Sequence, residues 1–69
     1  MNAKEAVLML KLGVKLKRPY WEGETYIILG PNDTICLKSP DGDVTKDTVE
    51  GFLTQKWTDW EVYCPQDNK

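Results

Sequence analysis

Two clusters of aromatic and charged residues bracket this chain. The first reads Lys15-Leu16-Lys17-Arg18-Pro19-Tyr20-Trp21-Glu22-Gly23, and the second Leu53-Thr54-Gln55-Lys56-Trp57-Thr58-Asp59-Trp60-Glu61-Val62. A basic pair beside a loop Trp, and a Thr-Asp pair between two more Trp, suit a pocket for something flat and anionic. Such a pocket stacks rings on indoles and pairs phosphates with Lys or Arg. Lys17 and Arg18 are the candidate anion contacts and Trp21 the candidate stacking surface. Thr58 and Asp59 are candidate partners for a ribose hydroxyl or a base N–H. Each residue also has a plainer role. The basic residues could form a solvated strand edge. Trp21 could fold back over the sheet edge as a small satellite core, and Asp59 could be a turn or capping carboxylate. Of Trp57 and Trp60, the latter, at a strand start, is expected in the core.

Catalysis is poorly supported. The chain has no His, so the usual general base near neutral pH is missing. Ser39, the only Ser, precedes Pro40 in a turn with no base beside it. Cys36 and Cys64 fall in expected strands, with no helix N-terminus to lower a thiol pKa. The five Gly are scattered in turns and do not form the Gly-rich run that cradles phosphates. The expectation is a binding protein, not an enzyme, with no cofactor and no metal site.

The elements that must position these residues are legible from periodicity. Ala3, Ala6, Val7 and Leu10 recur at helical spacing, predicting a helix over Ala3 to Leu12. Asn2 is a suitable N-cap and Glu5, three residues on, completes a capping box. Gly13 is placed to close the helix with a positive φ. From Val14 the period becomes two. Val14, Leu16 and Arg18 then share one face, with Lys15 and Lys17 on the other, until Pro19 ends the strand. Thr25 to Leu29 and Thr34 to Lys38 are expected strands around the Gly30-Pro31-Asn32-Asp33 turn. A second turn at Ser39 to Gly42 leads into a short strand over Asp43 to Thr45. Asp47, with Glu50 three residues later, is read as the cap of a short helix that turns Phe52 and Leu53 to the core. Trp60 to Cys64 is the last strand, and Pro65 to Lys69 a frayed polar tail. The sum is an α+β fold in a single domain: an N-terminal helix packed on an antiparallel sheet of about five strands, with a short second helix before the last strand.

Sixty-nine residues bury only about 60% of the unfolded surface, so the core is marginal. A partner subunit is the expected source of extra stability, because the two Cys are read as reduced, half-buried thiols and zinc is excluded by ligand count. Met1 is followed by an amphipathic pattern and not by a secretory apolar run, and no stretch approaches the roughly 20 apolar residues of a membrane span. A cytosolic location is expected. Residues 1–20 carry five Lys/Arg against one Glu, whereas residues 21–69 carry four Lys against ten acids. A net charge of −2 without a broad basic face argues against a protein that coats nucleic acid.

Glu5-Ala6, Leu10-Lys11, Gly13, Lys17-Arg18, Trp21 and Tyr26-Ile27-Ile28-Leu29, together with Leu53-Thr54 and Asp59-Trp60-Glu61-Val62, form a pattern over residues 3–63. It resembles a family of small phage proteins, the second group of Thoeris anti-defence proteins, to which some anti-CRISPR proteins also look similar. The resemblance implies a sponge in the cytoplasm of the infected bacterial host. Such a protein holds a cyclic nucleotide immune signal, glycocyclic ADP-ribose or a cyclic dinucleotide, without degrading it. It also implies a homo-oligomer, dimer or tetramer. Carried over by residue, Trp21 would stack on the adenine, Arg18 and Lys17 would face the pyrophosphate, and Asp59 with Thr58 would meet ribose or base. With Tyr26 these are the candidate ligand-binding residues. The chain departs from longer members by lacking an extended insertion between its middle strands. Pro19-Tyr20 also stands where small or charged residues are expected.

Two other classes fit the same sequence. A protein-binding inhibitor of a defence complex would use the acidic stretch Asp41 to Glu50 to mimic nucleic acid. A structural phage domain would simply bury Trp21.

Overall fold

Asn2 and Gly13 bound the first helix. The computed structural model describes residues 1–21 and 23–64, so the expected tail over residues 65–69 lies outside the described residues. Helix α1 spans Ala3–Lys11. The Asn2 side chain accepts from the Glu5 N–H at 2.8 Å and the Glu5 carboxylate accepts from the Asn2 N–H at 3.0 Å, closing the capping box. At the other end the Gly13 N–H donates to the Leu10 carbonyl and the Val14 N–H to the Met9 carbonyl. That pair is a Schellman motif, and Gly13 adopts the φ of 88° it requires. Ala3, Ala6, Val7 and Leu10 form the buried stripe.

Five antiparallel strands follow, β1 at Leu16–Lys17, β2 at Tyr26–Gly30, β3 at Thr34–Ser39, β4 at Gly42–Thr48 and β5 at Glu61–Val62. They lie in the order β4-β3-β2-β1-β5. Helix α2, Val49–Phe52, joins β4 to the segment before β5. The β2–β3 turn puts Asn32 and Asp33 at φ 58° and 57°, a conformation that Asn and Asp tolerate better than other side chains. The architecture is the α+β arrangement expected from the sequence.

Register divides the sheet into two faces. Leu16 opposes Ile27, Ile27 opposes Leu37 and Leu29 opposes Ile35. Directly opposed side chains share a face, so these residues form the floor of the core. Ala3, Ala6, Val7 and Leu10 of α1, Phe52 of α2, and Trp60 pack on it with Leu16, Ile27 and Ile35. Tyr26, opposite Lys38, and Ile28, opposite Cys36, point to the other face, as does Lys17 opposite Glu61.

Several boundaries differ from those read in the sequence. The first and last strands shrink to two residues each. They pair with each other only at Leu16–Val62 and Lys17–Glu61, before Pro19 turns the chain away. β4 is longer than expected because it keeps pairing with β3 through a bulge. Asp47 opposes Ile35 and Thr45 opposes Cys36, leaving Lys46 as the extra residue. The cap of α2 is therefore Thr48, not Asp47: the Thr48 hydroxyl accepts from the Gly51 N–H at 3.1 Å. Asp47 instead accepts from the Thr48 N–H, with its carboxylate lying against Gly51 where any Cβ would sit. Glu50 therefore has no capping-box role. Phe52 is buried as expected, but Leu53 is 46% exposed, because a helix of one turn can present only one of two adjacent residues to the core. Cys36 is half-buried, whereas Cys64 is exposed and outside β5; both are free thiols.

Candidate functional site

Arg18 is the organising residue of the site. Pro19 and Tyr20 form a turn closed by the Trp21 N–H donating to the Arg18 carbonyl at 3.0 Å. Pro19 takes the second turn position, where its fixed φ is suited. The turn throws Tyr20 and Trp21 to the helix-covered side of the sheet, beside the segment leading to β5. There Asp59 receives Arg18 Nε at 2.9 Å and Nη2 at 3.1 Å, a two-pronged ion pair across 41 residues of chain. The guanidinium lies 4.2 Å from the Trp57 ring centre and 4.9 Å from that of Tyr20. Arg18 keeps only 12% of its side chain exposed and Asp59 keeps 37%. The hydrogen bond from Arg18, and then its charge, hold the Asp59 carboxyl below the usual carboxylate range. The amino group of Met1 donates to the Thr58 carbonyl at 3.1 Å and to the Trp60 carbonyl at 3.2 Å, which fixes this segment to the start of α1.

Trp60 joins the site to the core. It is 6% exposed, meets Trp21 edge-on with ring centres 5.6 Å apart, and lies tilted on Phe52 at 5.2 Å. Trp21 is half-buried by this contact, so the satellite-core role weighed for it is present. It also lines a cleft of about 440 Å³ with Arg18, Tyr20, Trp57 and Trp60. Ile27, Ile35 and Phe52 line the same cleft. The volume lies within the range of small-molecule sites, roughly 300–1,000 Å³. Two polar atoms on lining residues, Trp60 Nε1 and Gln55 Oε1, are buried with no hydrogen-bond partner among the described residues.

The six candidate residues do not converge on one place. Arg18, Trp21 and Asp59 come together. Thr58 adjoins Asp59 but is exposed and does not line the cleft. Lys17 and Tyr26 lie on the opposite face of the sheet, because Lys17 alternates with Arg18 and Tyr26 with Ile27. They line a second, larger cleft of about 820 Å³ with Lys15, Tyr63, Glu24 and Glu61. In it the Tyr26 and Tyr63 rings stack at 4.7 Å and the Lys15 ammonium sits 4.9 Å over Tyr26. Burial, then the charge of Glu24, pushes the Tyr63 phenol up from its ordinary value. Lys17 approaches Glu61 at 4.0 Å, so the charges there cancel among themselves.

The smaller cleft is the better candidate despite its volume. Its walls are aromatic, its floor is apolar, and it alone carries unpartnered buried polar atoms among the described residues. The sequence reading missed five of its polar and aromatic residues: Tyr20, Lys46, Asp47, Gln55 and Trp57. Trp57 and Tyr20 had a signal, since both sit inside the aromatic motifs. Lys46 and Gln55 had none, because the β4 bulge and the α2 exit that bring them to the cleft leave no local pattern. Among the described residues no group of three metal-ligating side chains occurs, and no helix is long and apolar enough to cross a membrane. Comparison with protein-family models, with curated proteins and with solved structures finds no match to this chain.

Proposed function

We propose that this chain binds a cyclic nucleotide signal of the glycocyclic ADP-ribose or cyclic dinucleotide type and sequesters it unaltered, as a phage anti-defence sponge in the cytoplasm of an infected bacterium. The observation that carries the reading is an aromatic cleft large enough for a nucleoside-sized body, lined by Arg18 and Trp21, with Arg18 held in place by Asp59 from 41 residues along the chain. A purine offers a flat π-face to the indoles, and base–aromatic stacking contributes about 1–3 kcal/mol per base. The Arg18–Asp59 pair leaves the Nη1 end of the guanidinium without a protein partner among the described residues, available to a phosphate or ribose oxygen at the rim. Homo-oligomerisation belongs to the same proposal. It is supported by the helix-free face of the sheet, where Tyr26, Ile28, Cys36 and Tyr63 are only half-buried.

The test is a thermal-shift panel of cyclic ADP-ribose isomers, glycocyclic ADP-ribose and cyclic di- and trinucleotides, with chromatography of the ligand recovered after heating. A ligand at a hundred times its Kd adds about 2.7 kcal/mol of stability. The expected result is a shift of many degrees with the ligand recovered intact, and its loss in Trp21→Ala. A recovered product would make the protein an enzyme, and an unshifted panel would remove the reading.

One observation favours a second reading, a protein-binding inhibitor. β4 is an edge strand of seven residues, exposed along most of its length, with Asp41 in the turn before it and Asp43 within it. Charge reversal at Asp41 and Asp43 separates the two readings. Neither residue lines the aromatic cleft, so a sponge would keep its ligand while a nucleic-acid mimic would lose its partner.

A further inference from the structure

We infer that Trp57 is the stacking platform of the aromatic cleft for a neutral planar ring such as a heterocyclic base, and that Arg18 and Asp59 are positioning residues that fix its indole in place. The inference rests on the nucleotide reading above and assigns the base of that ligand to one side chain.

Three observations lead to it. First, the three Trp are not equivalent. Trp60 is 6% exposed, and Trp21 is half-buried with its ring edge-on to Trp60. These two build the wall of the cleft. Trp57 lines the same cleft, is 48% exposed, and makes no ring contact with another aromatic side chain among the described residues. Second, one face of Trp57 is taken by Arg18, whose guanidinium carbon lies 4.2 Å from the ring centre. With that face covered and nearly half of the residue open, the free surface includes the other face. Because Trp57 lines the cleft, a ligand there meets open indole surface. Third, Arg18 is itself held. Asp59 accepts from its Nε at 2.9 Å and its Nη2 at 3.1 Å, the Tyr20 ring centre lies 4.9 Å from it, and only 12% of its side chain is exposed. A two-pronged guanidinium–carboxylate pair has a fixed orientation, so Arg18 is a rigid flat backing for the exposed indole. A side chain ordered before binding spares the complex the entropy of ordering it.

The same arrangement selects the ligand. A second cation on Trp57 would draw on the ring quadrupole that Arg18 already uses. A neutral planar ring makes no such demand and stacks offset on the open face, as bases do on aromatic side chains. The occupant is a flat heterocycle and not an alkylammonium group.

The experiment uses the full chain, labelled with ¹⁵N, with its indole resonances assigned by single Trp→Phe variants. In the free protein the Trp57 indole N–H is expected to be as ordered as the backbone, with an order parameter of about 0.85. It should fall below about 0.6 in Arg18→Lys, which keeps the charge but not the flat face. The probes are AMP, cyclic ADP-ribose, glycocyclic ADP-ribose and cyclic di-AMP, with choline as the cationic control. Each nucleotide that binds is expected to move the Trp57 ring protons upfield, under the ring current of the stacked base, and choline should leave them in place. Trp57→Leu should weaken nucleotide binding about 5- to 150-fold, the range for one lost base stack, with a Tm within a few degrees of the parent because the residue is exposed. Trp57→Phe, which keeps a smaller ring, should restore most of the affinity. Arg18→Lys should weaken binding by at least about 2-fold, the lower bound for ordering one side chain. A Trp57 indole already mobile in the free parent, a bound nucleotide that leaves its ring protons unmoved, an affinity that survives in Trp57→Leu, or a choline shift as large as that of the nucleotides overturns the inference and leaves the nucleotide reading standing. Failure of every nucleotide, these and the cyclic panel alike, overturns both.

Discussion

Replacing Trp60 by Phe tests whether its indole N–H is truly without a partner in the ligand-free protein. Trp60 is 6% exposed and contacts Trp21 and Phe52. The substitution keeps an aromatic ring in the core and deletes two ring carbons and Nε1. Losing two buried carbons costs about 1.6 kcal/mol, at about 0.8 kcal/mol each. A residual cavity of some 40 Å³ adds about 1 kcal/mol at most. Removing an unpaired buried N–H returns about 1–3 kcal/mol. The net cost is at most about 1.5 kcal/mol, and the variant could be neutral. A domain of 69 residues loses about 7 °C of Tm per kcal/mol, so the shift should be smaller than roughly 10 °C. Trp60→Ala differs in kind. It forfeits about 3–5 kcal/mol, comparable with the whole stability of roughly 3–10 kcal/mol for a chain of this length, and should leave the protein largely unfolded at 37 °C. Urea unfolding followed by far-UV circular dichroism measures both variants without relying on the tryptophan signal. If Trp60→Phe costs as much as Trp60→Ala, the N–H has a strong partner in solution and the accounting above is wrong. A Trp60→Ala variant that melts within a few degrees of the parent would refute the placement of Trp60 in the core.

The Arg18–Asp59 pair makes a pH prediction. Its carboxyl is depressed by Arg18, so its contribution is complete above the unfolded carboxylate value, about 3.9, and is lost as pH falls through the lower folded value. The stability gap between the parent and Asp59→Asn should be constant from neutral pH to about pH 5 and close below about pH 4; a gap unchanged at pH 2 would show that the pair is not what Asp59 contributes. Gly30 in β2 has no room for a Cβ, which would meet Cys36 Sγ and Thr34 Oγ1 across the strand pair. Gly30→Ala should cost about 1–3 kcal/mol, and Cys36→Ala in the same chain should recover part of it; purely additive effects in that double-mutant cycle would place the strain elsewhere.

The first helix was the most legible element. Its ends are set by local chemistry, Asn2 with Glu5 at one and Gly13 at the other, and its apolar stripe has one period that no tertiary contact disturbs. The hairpin turns were equally plain, because Pro31-Asn32-Asp33 and Pro40-Asp41-Gly42 favour particular dihedral angles whatever surrounds them. The β4 boundary was not legible. Whether a polar run such as Asp43 to Thr48 continues as a strand depends on the neighbour it pairs with, and that neighbour, β3, is set by the register of the whole sheet. The helix cap moved from Asp47 to Thr48 for the same reason.

The candidate site shows the same division. Sequence alone determined which residue types could hold a flat ligand, because Trp, Tyr and Arg carry their stacking and pairing chemistry wherever they stand. It also fixed that Arg18 and Lys17 point to opposite faces, since that follows from the period of a strand. Tertiary structure decided which of them met. Arg18 found Asp59 because β1 pairs with β5, which brings chain ends 41 residues apart into one turn-lined corner. Lys17 and Tyr26 went to the other side because the pleat alternates them with Arg18 and Ile27, and there they meet Glu61 and Tyr63. Lys46 and Gln55 entered the cleft through a bulge and a helix exit. Sequence periodicity records only what repeats along the chain, and a site assembled from single residues of distant segments repeats nowhere.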